Sequence, residues 1–431
     1  MTMRYPCALI ALCALCAPTV FAATGAPPAV ERLMVGAPPP TTEQVTRENW
    51  MAPPYNVWAF QNMERLLATT TVDRGTSPVA EFGDAPADLA TFEFTDYSGK
   101  KRTLTQFLED QHVDALLLYA NGKVRQEIYR NGMTARNRHI MMSVTKSFTG
   151  LVAEMLIAQG KLDETKRVAD YVPELNVPGG AYADATLRNL LNMEIGIDFR
   201  EVYDDPSSTI FQFAYAAGFL PVPDGVKAYP SLYEFLPSLK KKGEHGQDFH
   251  YVTANSEVLG WVIEKVTSHG FASVFDEMVF GKIGAERDAF YLTDPHGKAV
   301  SGGGLNITAR DALRLGVMMA QQGKFNGQQI VPAAVVAKIA AGSTPRPSLW
   351  GNENGGRDHS YMSQWYVEHK HGVVSAEGVN GQTIHFQPKS GVAMVLQSSY
   401  PEADGPFFAV IDDFFYAVAA RLTGSSIAPQ R

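Results

Sequence analysis

The chain has 431 residues, of which 45% are hydrophobic and 19% charged, and it carries a formal net charge of −8. A chain of this size can bury one large body or two closely packed domains, and its composition is that of an ordinary globular protein. The acidic balance excludes nucleic acid as a natural partner, because binding a phosphate backbone calls for a basic face.

At the N-terminus, Arg4 precedes an apolar stretch from Ala8 to Ala17 and the small-x-small run Val20-Phe21-Ala22. Residues 1–22 read as a signal peptide, because the apolar run is shorter than the roughly 20 residues needed to span a bilayer. The protein is therefore expected to be exported, to a periplasm or to the medium. Cys7, Cys13 and Cys16, the only cysteines, lie inside that signal. The mature chain thus has neither a disulfide nor a thiolate metal ligand. No later apolar run approaches spanning length, so no membrane span is expected after signal removal.

Residues 23–40 are rich in Ala, Pro and Gly and read as a linker. Residues 41–67 are aromatic and partly helical, with Trp50, Trp58 and Phe60. A hairpin follows: residues 113–119 are apolar, Asn121-Gly122 is a mirror-type turn signal, and residues 124–129 alternate apolar with charged. Ser143 opens a helix in which Phe148, Leu151, Val152, Met155 and Leu156 recur at helical spacing, closed by Gly160. A mostly helical stretch runs to about residue 300, then Gly302-Gly303-Gly304 marks a tight turn before a helix beginning near Thr308. Strand patterns return at 362–368, 371–375, 382–387 and 392–397, and a helix over about 407–422 ends the chain.

These elements predict an α/β plus α fold, a mainly antiparallel sheet flanked by helices with an inserted helical domain. The body would span 41–431, with a sheet subdomain of about 90–142 and 305–431 and a helical subdomain of about 143–304. A cleft between the two is where a site is expected.

Three groups of residues carry chemistry. Ser143-Val144-Thr145-Lys146 is an S-x-x-K tetrapeptide, a spacing that puts both side chains on one helix face. At a helix start the serine oxygen sits where free N–H groups favour negative charge, and a desolvated lysine has a lowered pKa and can take the serine proton. Ser98–Lys101 and Ser238–Lys241 match the same pattern, but only Ser143 begins an apolar helix. Tyr251-Val252-Thr253 offers a phenol to relay a proton and, two positions on, a hydroxyl to hydrogen-bond the lysine. Gly378-Val379-Asn380-Gly381-Gln382 begins a strand whose exposed N–H can serve, with that of Ser143, as an oxyanion hole. Taken singly, each also fits a structural role: a helix start, a packed aromatic, a hairpin turn. There is no G-x-S-x-G, no H-E-x-x-H and no Gly-rich phosphate loop. The closest histidine pair, His369 and His371, has no third ligand, so no metal site is expected.

In order, the three groups resemble the class C β-lactamase and D,D-peptidase superfamily, and within it the 6-aminohexanoate-dimer hydrolases, the nylon-oligomer enzymes. The likeness takes in Asn49-Trp50, the segment from Pro53 to Phe60, Arg138 through Ser147, Ile197-Asp198-Phe199, Tyr203-Asp204-Asp205-Pro206, Tyr251 through Trp261, and Gly378 to Gln382. It implies a β-lactamase/transpeptidase-like fold and a serine hydrolase acting on a small ester or linear amide through an acyl-serine. It further implies Ser143 as nucleophile, Lys146 as general base, Tyr251 as proton relay, and the N–H groups of Ser143 and Val379 as oxyanion hole. Tyr203 would lie on a mobile loop over the substrate, with Thr253 and Gly378 also lining the site, and no metal or organic cofactor is implied.

Three departures bear on substrate. Thr253 stands where class C β-lactamases carry asparagine, and Ala376-Glu377-Gly378 stands in place of the lactamase K-T-G, removing the lysine that would meet a β-lactam carboxylate. Ala214 occupies the position, eleven beyond Tyr203, where some nylon-oligomer enzymes hold the substrate's amino group with an acid. Two alternatives remain: a periplasmic D,D-peptidase or D-amino-acid amidase acting on cell-wall peptides, and a non-catalytic binding protein that keeps the fold. A homo-oligomer is compatible with everything in the sequence.

Overall fold

Asn121 and Gly122 take φ angles of 55° and 77°, the left-handed pair that a two-residue hairpin turn requires, and they join the two strands expected on either side. In the computed structural model, which describes residues 28–343 and 359–424, this hairpin belongs to an eight-stranded sheet. Its strands are β1 (Gly83–Asp84), β2 (Val113–Ala120), β3 (Lys123–Tyr129), β4 (His359–Met362), β5 (Trp365–Glu368), β6 (Val373–Gly378), β7 (Gln382–Gln387) and β8 (Val392–Ser398). The order across the sheet is β4-β5-β6-β7-β8-β2-β3-β1, and every pairing is antiparallel except β1 with β3.

Every residue of β2 is buried, which explains its unbroken apolar run: both faces of the sheet are covered. Ala115, Leu117 and Tyr119 point into one core, while Leu116, Leu118 and Ala120 point into another. The first core is shared with α1 (Val144–Ala158), α2 (Thr253–Thr267) and α3 (Ala309–Ala320). The second is closed by α4 (Phe407–Thr423), whose Phe414 stacks on Phe107 at 3.9 Å between ring centroids. The result is a helix–sheet–helix sandwich with α1 deep inside it, buried from Val144 to Leu156.

Several boundaries differ from the sequence pattern. The strand expected over 362–368 is two strands, because Ser363 and Gln364 adopt φ of 52° and 71° and turn the chain. Non-glycine residues give no advance signal of such a turn. The strand expected over 371–375 starts at Val373 and extends to Gly378. Gly378 therefore ends a strand rather than beginning one, and a 3-10 turn over Val379–Gly381, with Asn380 at φ 62°, precedes β7.

A second, four-stranded sheet was not anticipated. It is made of Thr69–Val72, Ala289–Leu292, Leu305–Thr308 and Arg138–Ile140, in that spatial order. Ala289–Leu292 comes from within the stretch expected to be helical. Within the segment expected as a linker over 23–40, Leu33 is buried beside Trp50 and Phe60, and Met34 N–H donates to Glu43 O at 2.9 Å, while most of its other described residues are exposed. The expected signal peptide lies outside the described residues. Among the described residues, no helix is long and apolar enough to cross a membrane.

Candidate active site

Ser143 immediately precedes α1, after Met142 at φ 47°. Serine at this position usually caps the helix with its hydroxyl, but Ser143 makes no such bond. Its Oγ instead accepts from Lys146 Nζ at 2.8 Å. Lys146, one turn on and 1% exposed, gives a second hydrogen bond to Gly302 O at 2.6 Å. Burial pulls its ammonium down to about 8, against the pull of Glu201 and Glu257, which favour the charged form. The Tyr251 and Ser143 side chains line the same cavity, and Lys146 Nζ lies 5.2 Å from the centre of the Tyr251 ring. Burial and the nearby Glu201 carboxylate push that phenol well above the usual tyrosine range, so it is held as a neutral donor.

The carbonyl that receives Lys146 is itself fixed. Glu257 of α2 accepts Gly302 N–H at 2.7 Å through Oε1. Through Oε2 it accepts Ser301 N–H at 3.1 Å and Lys298 Nζ at 3.2 Å. The Glu257 and Lys298 side chains are both fully buried. A Cβ on Gly302 would stand 2.9 Å from Glu257 Oε1 and 3.1 Å from Thr253 Cγ2, so the glycine allows this close approach. The glycine triplet thus positions the lysine as well as turning the chain.

Across the cleft, the end of β6 presses against Ser143. A Cβ on Gly378 would meet Met141 O at 2.5 Å and Ser143 N at 2.8 Å. Only glycine lets the β6 backbone approach so closely, and the next residue is Val379. Asn380 holds the turn by donating its side-chain amide to Tyr400 O at 2.8 Å.

Thr253 departs from expectation. Its hydroxyl donates to Glu201 Oε1 at 2.6 Å, not to the lysine, and its N–H donates to Glu201 Oε2 at 2.7 Å. Tyr203 also gives its phenol to Glu201 Oε1, at 2.6 Å. Tyr203 lines a cavity on each side of Ser143. One is apolar, walled by Trp50, Ile210, Phe213, Ala214, Phe219 and Leu220. The other is walled by Glu201, Tyr251, Tyr366, Glu377, Val379 and Asp404.

The remaining sequence candidates lie elsewhere. Ser98 Oγ donates to Asp96 at 2.6 Å in a turn, and Ser238 Oγ to Phe235 O at 2.6 Å. His369 hydrogen-bonds Ser360 and His371 pairs with Glu368, so the two imidazoles do not converge. Among the described residues, Glu377, His385 and Asp412 bring three potential metal ligands within 4.8 Å of one another; His385 Nε2 is 2.8 Å from Asp412 Oδ1.

Glu201 and Glu257 were not singled out from sequence. Glu257 had a signal, an acid four residues after Thr253 and so on the same face of the helix. Glu201 had none, lying in a loop between two recognisable segments.

The Beta-lactamase family matches residues 101–410. A 6-aminohexanoate-dimer hydrolase of Paenarthrobacter ureafaciens is 33% identical over 361 residues, covering 83% of this chain and 89% of that protein. Among solved structures, one described as a candidate 6-aminohexanoate-dimer hydrolase of Bacillus anthracis superposes with a TM-score of 0.80 at 27% identity, covering 89% of this chain and 98% of that one. EstCE1, described as a hydrolase with promiscuous acyltransferase activity, shares the fold at a TM-score of 0.56 and 18% identity, over 72% of this chain and 96% of its own.

Proposed function

The chain belongs to the beta-lactamase family, and from that membership we propose that Ser143, Lys146 and Tyr251 cleave a small ester or linear amide through an acyl-serine intermediate. Its activity class, serine hydrolysis of amides or esters, is that of the family and of its relatives. The observation that carries the residue assignment is the 2.8 Å contact between Ser143 Oγ and a buried Lys146 whose ammonium titrates near 8.

In this scheme Lys146, neutral when poised, takes the Ser143 proton as Oγ bonds to the substrate carbonyl carbon. The carbonyl oxygen becomes an oxyanion held by the N–H groups of Ser143 and Val379. As the tetrahedral centre collapses, Tyr251 gives its proton to the departing amine or alcohol, and Lys146 returns a proton to Tyr251. Water then attacks acyl-Ser143, losing its proton to the same pair; as the bond between Oγ and the acyl carbon breaks, the pair returns that proton to Ser143 Oγ and the acid leaves.

The apolar cavity supports a linear hydrocarbon portion on one side of the scissile bond, as in a 6-aminohexanoate-type amide or a short ester. Ala214 in its wall offers no carboxylate for an amino terminus. The acidic cavity opposes a substrate carboxylate, because Glu201, Glu377 and Asp404 line it. Penicillins, peptides ending in D-Ala and the linear 6-aminohexanoate dimer all carry such a carboxylate, so the cavity favours a hydrocarbon-chain ester or amide without one and weighs against cell-wall peptide processing. Export through residues 1–22 is part of the same proposal and rests on the N-terminal sequence pattern.

Incubation with a fluorophosphonate followed by mass spectrometry should place one adduct on Ser143, and Ser143→Ala should abolish turnover of p-nitrophenyl esters. An adduct on another residue, or an active Ser143→Ala protein, refutes the assignment.

A further inference from the structure

Helix α2 begins without a cap of its own: its N-cap residue is Val252, which has no side-chain acceptor. The first N–H of the helix, that of Thr253, is satisfied by Glu201 from a loop 52 residues earlier. Both Glu201 oxygens are occupied. Oε2 takes the Thr253 N–H, and Oε1 takes the hydroxyls of Thr253 and Tyr203, each at 2.6 Å. Hydrogen bonds to an ionised carboxylate are about twice as strong as neutral ones, and a negative charge at a helix N-terminus is favoured by the helix dipole. The bonded N–H lies two residues beyond Tyr251, so fixing Thr253 anchors the backbone from which the Tyr251 phenol projects.

We propose that Glu201 is the positioning residue of this cleft, clasping the Tyr203 loop to the first turn of α2 so that Tyr251 stays aimed at Ser143. The inference rests on the Ser143–Lys146–Tyr251 assignment and goes beyond it, because Glu201 touches none of the reacting atoms in that scheme. Its charge has a second consequence. Two carboxylates act on Lys146, Glu201 from the loop and Glu257 from α2; Glu257 is bound to Lys298. Glu201 also faces Tyr251, His250, Asp404, Tyr361 and Tyr366. It holds Tyr251 protonated and favours the protonated form of Lys146. Glu201 thus keeps the phenol a donor, while burial, working against Glu201, is what makes the Lys146 amine available as a base.

The test compares wild type, Glu201→Gln and Tyr203→Phe in p-nitrophenyl ester hydrolysis across pH, with thermal unfolding to verify folding. Glu201→Gln should lower kcat on the order of ten- to a hundredfold through misplacement of the phenol. It should also move the acid limb of kcat/KM to lower pH, since Lys146 loses one of the carboxylates that keep it charged. Tyr203→Phe keeps that charge and should leave the limb where it is. A folded Glu201→Gln protein with wild-type kcat and an unmoved limb overturns the proposal.

Should Glu201→Gln fail to fold, the pair Tyr203→Phe and Thr253→Val decides the matter. Both hydroxyls share Oε1, so the double variant should lose clearly less than the product of the single losses. Strictly multiplicative losses overturn the clasp. An active Ser143→Ala protein would instead sink the underlying assignment, whereas an inactive one beside a wild-type-like Glu201→Gln sinks only this inference.

Discussion

Gly378→Ala isolates the oxyanion hole, because the added methyl group has nowhere to go. Its carbon would stand 2.5 Å from Met141 O, 2.8 Å from Ser143 N and 3.0 Å from Met142 Cβ. Non-bonded heavy atoms settle at about 3.5 Å or beyond, so the two segments must separate by roughly 0.7–1 Å. Ser143 leads into a helix buried on all sides from Val144 to Leu156, whereas Gly378 is the last residue of its strand and pairs only with Gln382. The strand end therefore yields, carrying Val379 N–H with it. An oxyanion donor acts at about 2.7–3.1 Å, and losing one costs on the order of 10²–10³ in kcat, about 2.7–4 kcal/mol. The expected result is that loss in kcat toward a p-nitrophenyl ester, with KM little changed, because the contact forms only in the transition state. Fluorophosphonate labelling should slow in parallel. A Gly378→Ala protein within threefold of wild-type kcat, or one defective in KM alone, would refute Val379 as a donor.

Two further outcomes follow from the buried charges. The kcat/KM for an ester should rise as pH passes about 8 and level off above it, because burial lowers the Lys146 ammonium to about 8 and the neutral amine is the base; a profile flat from pH 6 to 9 contradicts that role. Lys298→Met should destabilise the protein by about 3–5 kcal/mol in urea unfolding, since it strands the fully buried Glu257 carboxylate without its cation. A change under 1 kcal/mol would mean that Glu257 is held by its hydrogen bonds to Ser301 and Gly302 alone.

The parts of the molecule that were legible in the sequence are those whose signal is local. The Asn121-Gly122 hairpin, the α1 periodicity and β7 at Gln382–Gln387 each depend on residues within one turn or one strand, and they fold as the pattern indicates. The second sheet was not legible because Thr69–Val72 pairs with Ala289–Leu292, more than two hundred residues away, and four residues carry too little alternation to announce a strand. The turn at Ser363-Gln364 was hidden for a different reason: left-handed geometry at non-glycine residues is imposed by tertiary contacts, here Ser363 Oγ to Glu154 and Gln364 Nε2 to Leu190 O. The same division runs through the site. Ser143 and Lys146 lie one helical turn apart and declare each other, while Glu201 reaches Thr253 only after a loop and a helix have been brought together.

That division has a chemical consequence. The proposed reacting pair sits at the start of a helix buried from Val144 to Leu156, where a change in either residue meets a dense surround, so its geometry is set by the core. The groups flanking it lie on other elements: Trp50 and Phe219 on loops and Ala214 on the helix Thr209–Ala216 on the apolar side, and Glu201 and Asp404 on loops and Glu377 at the end of β6 on the acidic side. Loop positions in particular accept substitution at small cost to the core. In this chain the flanking positions are filled so that one side of Ser143 favours hydrocarbon and the other opposes carboxylate. In the proposed scheme the serine and lysine supply the power to acylate, and what is acylated is decided by residues that share neither their helix nor their sequence signature. Hence Ala214 and Glu377, neither of them part of the proton relay, say more about the substrate than the S-x-x-K motif does.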